Sequence, residues 1–346
     1  MKPHRDGGGF SFIALGLVLV LGVLCLTPFA WAEDRALLIG VGKYQMPGND
    51  LPGIDLDINM MEETASLMGF NVKVLMDEEA TLANTQRVMN SWLREGVSAD
   101  DRVLIYFSGH GVRIPDDNGD EADDNQDEVL VMHDVKQEQR NGQASLGNVL
   151  VDDQFDQLLA GIPSNNVLVL IDACHSGTST KNLSLSPTSS FGNIAGQPKV
   201  FNYSGMPKAV VTRGNFSVEE RTEKTQENYV LIAAAQDHQQ AIATKQGSVF
   251  TVGVHQLVRD AAQNRQTITP KQIRDEVEDY IKTELQGSNS IFHPNLIGSE
   301  NLAQKPLQLV SLQGGHGPVW TELEALAQAA DNSVGVILNQ ESFAEG

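Results

Sequence analysis

The chain has 346 residues, with 45 acidic against 24 basic side chains and a formal charge of −21 at pH 7. That balance argues against nucleic acid and anionic membrane surfaces as partners and suits cations and basic substrates better. The length holds one large domain or two small ones.

Lys2, His4 and Arg5 precede an apolar stretch at residues 10–26, and Ala30-Trp31-Ala32 offers a small-residue cleavage signal. Residues 1–32 therefore read as a secretory signal peptide cut before Glu33, giving a secreted or periplasmic protein that is clear of the membrane after cleavage. An uncleaved membrane anchor is the rival reading, since the apolar stretch approaches spanning length. Leu24 before Cys25 does not suit a lipoprotein signal. Of the two cysteines, only Cys174 then remains. No internal disulfide is available, and a lone thiol in an oxidising compartment is a liability unless it has a use.

Residues 36–41 read as a first buried strand ending in Gly40-Val41-Gly42-Lys43-Tyr44, without the full spacing of a phosphate loop. A helix from about Asp57 carries Ile58, Met61, Ala65 and Met68 and stops at Gly69. A strand at 71–76 and a helix at 82–94 follow. Residues 102–108 are another apolar run, emptying into Gly109-His110-Gly111. This β-α-β-α-β alternation implies an α/β fold with a mostly parallel sheet and helices on both faces.

The loop at 116–128 is the most acidic in the chain. Clustered carboxylates suit a hard cation such as calcium, but the spacing departs from an EF-hand, and a solvated acidic loop is the plainer reading. Residues 128–132 read as a strand, and Val151-Asp152-Asp153 starts a helix with Phe155, Leu158 and Leu159 on one face. Residues 167–171 are continuously apolar, as expected of a strand buried on both faces. The run stops on Asp172-Ala173-Cys174-His175-Ser176-Gly177. Carboxyl ends of parallel strands are where chemistry sits in open α/β sheets. Cys174 is thus a candidate nucleophile and His110 its candidate acid–base partner; the bland alternative for Cys174 is a small buried hydrophobe.

Residues 178–228 are long, polar and aperiodic, which is typical of a functional or disordered connection. A strand at 229–235 precedes a helix whose Phe250, Val254, Leu257, Val258 and Ala261 share one face. Thr269, Pro270 and Gln272 form a helix start, with Ile273, Val277, Tyr280 and Ile281 facing the core. A short helix at 320–329 and an apolar run at 334–338 lie in a tail, residues 301–346, that carries no motif. His133, His238, His255 and His316 are too scattered for a zinc site.

The tetrapeptide at 108–111 and the hexapeptide at 172–177, with residues 36–44, 51–57 and 233–251, resemble the caspase-like cysteine peptidases, most closely the metacaspases. The likeness spans about residues 35–298. It implies a caspase-like sandwich over residues 33–300, with a sheet of about six strands. It also implies Cys174 as nucleophile, His110 as acid–base, and the backbone amides of Gly111 and Cys174 as oxyanion donors. Asp57, Ser108 and Asp172 would line the pocket for the residue before the cut bond. Two carboxylates there favour Arg or Lys over Asp. Asp57 also reads as a helix-start residue, and the position of Ile54 is a Cys in some relatives. No metal is needed for the chemistry, but calcium could act as an activator on Asp127, Asp152 and Asp153. The family's fourth ligand would fall at Lys181, a positive charge where an oxygen is needed. Self-cleavage within 178–228 has six candidates, Lys181, Lys199, Lys208, Arg213, Arg221 and Lys224, among which the residues do not choose. His175 reads as structural, and residues 293–296 as a closing turn. The expected activity is a monomeric endopeptidase acting on protein or peptide substrates after Arg or Lys. A catalytically silent caspase-like binding module and a same-clan peptidase of other specificity, such as Asn, are the alternatives.

Overall fold

The structure, a computed structural model, describes residues 33–115, 126–140, 142–174, 183–184, 191, 195–204, 228–236, 239–286, 288 and 291–310. The proposed signal peptide, His175, Lys181, most of the acidic loop and the tail beyond 310 lie outside the described residues. No described helix is long and apolar enough to cross a membrane.

In chain order the first elements are β1 (Arg35–Gly40), α1 (Ile54–Leu67), β2 (Asn71–Met76), α2 (Leu82–Ser91) and β3 (Arg102–Ser108). Next come β4 (Gly111–Pro115), β5 (Gln126–Arg140), β6 (Gln143–Val151), α3 (Asp152–Ala160) and β7 (Asn166–Asp172). Then follow β8 (Leu183–Ser184), β9 (Ala195–Pro198), β10 (Tyr229–Ala233), β11 (Ile242–Ala243), α4 (Val249–Gln263), α5 (Pro270–Glu284), β12 (Asn295–Gly298) and α6 (Glu300–Ala303). The main sheet has six strands in the order β12-β10-β7-β3-β1-β2. All its pairings are parallel except β12 with β10, so the segment expected as a closing turn forms an antiparallel edge.

Alternation along each central strand divides the core in two. Val103, Ile105 and Phe107 of β3 pack with Val169 and Ile171 of β7 and with Met89, Phe155 and Leu159 of α2 and α3. Leu104, Tyr106, Leu168 and Leu170 point the other way, against Met61, Phe250, Val254 and Val277 of α1, α4 and α5. Both faces are covered, which is why these strands read as unbroken apolar runs.

Several boundaries differ from those the periodicity predicts. Helix α1 begins three residues before Asp57, behind Gly53 at φ 73. A Cβ on Gly53 would lie 2.1 Å from the carbonyl oxygen of Thr244, so this entry to the helix needs glycine on two counts. Helix α2 ends at Ser91 rather than 94. The strand expected at 128–132 is part of the 15-residue β5, which belongs to a separate antiparallel sheet, β4-β5-β6. Polar residues and a register shift between Val131 and Lys136 break its apolar pattern, hiding the outer half from a periodicity search. Thr269 and Gln272 close the expected capping box of α5.

The register of the central strands sets up the site. Ser108 at the end of β3 pairs with Asp172 at the end of β7, and with Gly40 at the end of β1. His110 and Cys174 each lie two residues beyond that shared rung.

Candidate active site

His110 and Cys174 leave adjacent strands at the same level, and both are buried, at 1% and 0% exposure. The imidazole Nε2 lies 2.8 Å from the carbonyl oxygen of Asn49. A carbonyl only accepts, so Nε2 carries the proton and donates it, leaving the Nδ1 lone pair on the inner side in the neutral ring. Nδ1 is buried and has no hydrogen-bond partner. The ring sits between Tyr44 and Phe201, with centroids 5.1 Å and 5.6 Å away. The hydroxyl of Tyr44 accepts from the His110 backbone N–H at 2.7 Å. Gly109 is required beside them, since a Cβ there would lie 2.9 Å from both that hydroxyl and the Phe107 ring.

The thiol of Cys174 donates to the Ala241 carbonyl at 3.3 Å. Burial pushes its pKa up to about 12, against a smaller opposing effect from the Lys199 backbone. Burial likewise lowers His110 to about 4, opposed chiefly by the hydrogen bond to the Asn49 carbonyl. In this state both groups are neutral at ordinary pH, a thiol and an imidazole rather than an ion pair.

Beneath them lie the three residues expected to line a pocket, all fully buried. Asp57 accepts from Ser108 Oγ at 2.7 Å, from the Ser248 backbone N–H at 2.6 Å and from Ser248 Oγ. Ser248 precedes α4, so this carboxylate faces the positive end of that helix. Desolvation nevertheless raises the Asp57 pKa, with Lys199 opposing and Asp172 reinforcing. Asp172 Oδ2 accepts from Thr251 Oγ1 at 2.6 Å, and Thr251 Oγ1 is 2.6 Å from the Tyr106 hydroxyl. Because Thr251 gives its only proton to the carboxylate, Tyr106 is the donor to Thr251. Asp57 therefore faces inward onto Ser108 and Ser248, although it stands in the first turn of α1.

The space between these two carboxylates is filled by a side chain of the same molecule. Lys199, fully buried, places Nζ 2.9 Å from Asp172 Oδ1 and 3.5 Å from Asp57 Oδ2. It also donates to Ser108 Oγ at 2.8 Å and to the Asp172 carbonyl at 3.0 Å. The Lys199 carbonyl oxygen accepts from the Gly111 N–H at 3.1 Å, one of the two amides expected to serve an oxyanion. Sequence reasoning finds Lys199 only as one of six equivalent basic residues, and it misses Asn49, Tyr44, Ser248 and Thr251 as supports. The last two fall in a stretch that carries the resemblance, but nothing in their identity marks them as carboxylate ligands.

The expected calcium ligands fall on β5 and at the start of α3. Val129 pairs with Val151, so Asp127 and the Asp152–Asp153 pair come to one end of the β5–β6 ladder. Asp127 and Asp152 are buried and Asp153 is exposed. Among the described residues no group of three or more His, Cys, Asp or Glu is arranged to hold a metal ion. The three aspartates by themselves do not fit a calcium cage, which takes six to eight oxygens.

The caspase-domain family profile matches residues 33–310. Over 159 residues the chain is 36% identical to Metacaspase III c of Phaeodactylum tricornutum, covering 44% of this chain and 45% of the relative. Over 163 residues it is 32% identical to Metacaspase-3 of Arabidopsis thaliana, covering 44% and 42%. These matches span less than half the length of either relative. In fold, the chain is similar to the crystal structure of protein GSU0716 from Geobacter sulfurreducens, with a TM-score of 0.55 at 18% identity over 81% of this chain and 100% of that one. With a profile match that runs through the six-stranded sheet and both halves of the site, the chain belongs to the caspase-domain family.

Proposed function

We propose that this chain is a cysteine endopeptidase that cleaves protein or peptide substrates after Lys or Arg. The observation that carries the specificity is the seat of the Lys199 ammonium, between two buried carboxylates and the Ser108 hydroxyl. A pocket with two buried acids rejects an Asp side chain by repulsion and leaves an unpaired charge when a neutral side chain enters. Arg fits the same demand through its fork of donors.

In the reaction, Nδ1 of His110 takes the proton of the Cys174 thiol as Sγ attacks the scissile carbonyl carbon. The Gly111 amide, joined by the Cys174 amide, receives the developing oxyanion. The carbon–nitrogen bond breaks as His110 returns the proton to the leaving amine. Water then attacks the thioester with His110 again as base, releasing the carboxylate and restoring the thiol. The Asn49 carbonyl keeps the imidazole in the required tautomer and favours the transient imidazolium. Calcium stands outside this chemistry, as an activator implied by the resemblance, and the protein acts as a secreted or periplasmic monomer.

The test is hydrolysis of paired fluorogenic peptides ending in Arg, Lys, Asp or Asn by the full chain, with and without calcium. Turnover of the Arg and Lys peptides, lost in Cys174→Ala, is expected. Turnover confined to Asp or Asn peptides overturns the specificity. No turnover by any form, including protein nicked with trypsin, favours the silent binding module, a reading to which the complete burial of Cys174 and His110 lends itself.

A further inference from the structure

Two buried residues that the chemistry does not use, His133 and Asp77, clasp the loop that holds His110. Residues 42–50 bring two groups to that residue: the Tyr44 hydroxyl accepts from its backbone N–H, and the Asn49 carbonyl accepts from Nε2. The loop closes where the Leu51 N–H donates to the Gly42 carbonyl at 2.8 Å. His133 of β5 ties it on both sides of Tyr44. Its Nδ1 donates to the Lys43 carbonyl at 2.7 Å, and its own carbonyl accepts from the Gln45 N–H at 3.0 Å. The Lys43 carbonyl only accepts, so Nδ1 carries a proton whatever the charge on the ring. His133 is in turn fixed by its N–H, which donates to the Ala80 carbonyl at 3.1 Å. It lies where β5 shifts register against β6, between Val131 and Lys136, an irregularity of the kind that re-aims a side chain. The Asp134 carboxylate secures the next position, accepting from the Leu82 N–H at the start of α2 and from the Asn148 side chain of β6.

Asp77, just beyond β2, makes the second clasp. Its Oδ1 accepts from the Gly42 N–H at 2.8 Å and from the Lys43 N–H at 2.9 Å. Its backbone stands at φ 46, in the left-handed region, which Asp and Asn bear better than most residues and which persists where surrounding bonds hold it. Bonds from His133 and Asp77 thus fix the backbone of Gly42, Lys43 and Gln45, the run that delivers Tyr44.

We propose that His133 and Asp77 are positioning residues for His110, acting through residues 42–50. The proposal rests on the peptidase reading and deepens it. Strand β1 carries the loop to the site, but the turn after β2 and the irregularity in β5 decide where Tyr44 and Asn49 stop. Without either clasp the loop shifts, the Asn49 carbonyl no longer selects the Nε2–H tautomer, and the basic Nδ1 lone pair is lost for part of the time. Asp57 and Asp172 are held by Ser108, Ser248 and Thr251 instead, so the seat for the substrate side chain does not depend on these clasps.

Four variants of the full chain test this. His133→Phe keeps an aromatic ring but has no donor for the Lys43 carbonyl, whereas His133→Asn keeps a donor near the place of Nδ1. Asp77→Ala removes the acceptor, whereas Asp77→Asn keeps both an acceptor and the tolerance of a left-handed backbone. His133→Phe and Asp77→Ala are expected to hydrolyse Arg and Lys peptides with kcat about tenfold to a hundredfold lower and KM within about twofold of wild type. The two Asn variants should recover most of that loss. The second readout needs no substrate: NMR of isotope-labelled histidine, with His110 assigned through His110→Gln. It should show a protonated Nε2 in wild type and both Asn variants, and exchange between tautomers in His133→Phe and Asp77→Ala. Should His133→Phe fail to fold, the two Asp77 variants make the same comparison. A KM that rises as kcat falls, no recovery in the Asn variants, or unchanged His110 resonances in all four overturns the proposal. If wild type turns over no peptide, the peptidase reading falls, and the tautomer comparison alone decides whether His133 and Asp77 position His110.

Discussion

The Lys199 ammonium and the Asp172 carboxylate face each other at 2.9 Å with neither side chain exposed to solvent. A buried pair of this kind contributes little net stability, because desolvating both charges offsets their attraction. Losing one member is another matter. Asp172→Asn leaves Lys199 only the more distant Asp57 carboxylate, at 3.5 Å. The variant is expected to be about 3–5 kcal/mol less stable, measured by denaturant unfolding. Its hydrolysis of Lys and Arg peptides should fall on the order of 100-fold.

Thr251 acts on substrate only through Asp172, as a positioning residue. Thr251→Val keeps the shape but removes the donor to Asp172 and the acceptor for Tyr106, at about 1–3 kcal/mol for each buried group left unsatisfied. Steady-state kinetics should show a raised KM for Lys and Arg peptides with kcat little changed. Adding Tyr106→Phe should recover part of the stability, since it removes the orphaned hydroxyl. Equal losses in kcat and KM would mean that the site as a whole has been disturbed.

Burial of His110 and Cys174 has a signature in stability against pH. His110 falls to about 4 in the folded state from an ordinary 6.5, so between those values the unfolded chain binds more protons, and stability declines as pH drops through the window. Cys174 rises to about 12 from 9.0, so above about pH 9 the unfolded chain loses a proton that the folded chain keeps. Stability therefore declines again as pH rises. Each group contributes a slope of at most about 1.4 kcal/mol per pH unit. Unfolding midpoints across pH should show both limbs, and Cys174→Ala should flatten the alkaline one.

The two halves of the core meet on the central strands. Leu170 of β7 is fully buried two residues before the pocket carboxylate Asp172. Leu170→Ala is expected to cost about 2–5 kcal/mol, from lost burial and the cavity left behind. Thermal unfolding measures it.

Sequence by itself determined the doubly covered parallel sheet, because strands buried on both faces must be apolar throughout, and it located His110 and Cys174, because small polar turns interrupt two such runs. It also assembled Asp57, Ser108 and Asp172 through resemblance. Nothing local distinguishes an aspartate that starts a helix from one that faces inward from its first turn. That decision belongs to the tertiary structure, where the strand register sets Ser108 beside Asp172 and the start of α4 brings Ser248 and Thr251 to the two carboxylates. The same holds for β6, whose polar and glycine-bearing pattern becomes a strand only when β5 lies alongside it. Lys199 is the clearest case. In the sequence it is one base among six in an aperiodic stretch. Only the fold, by pairing β9 with β11 and offering two desolvated acids that need a cation, selects it.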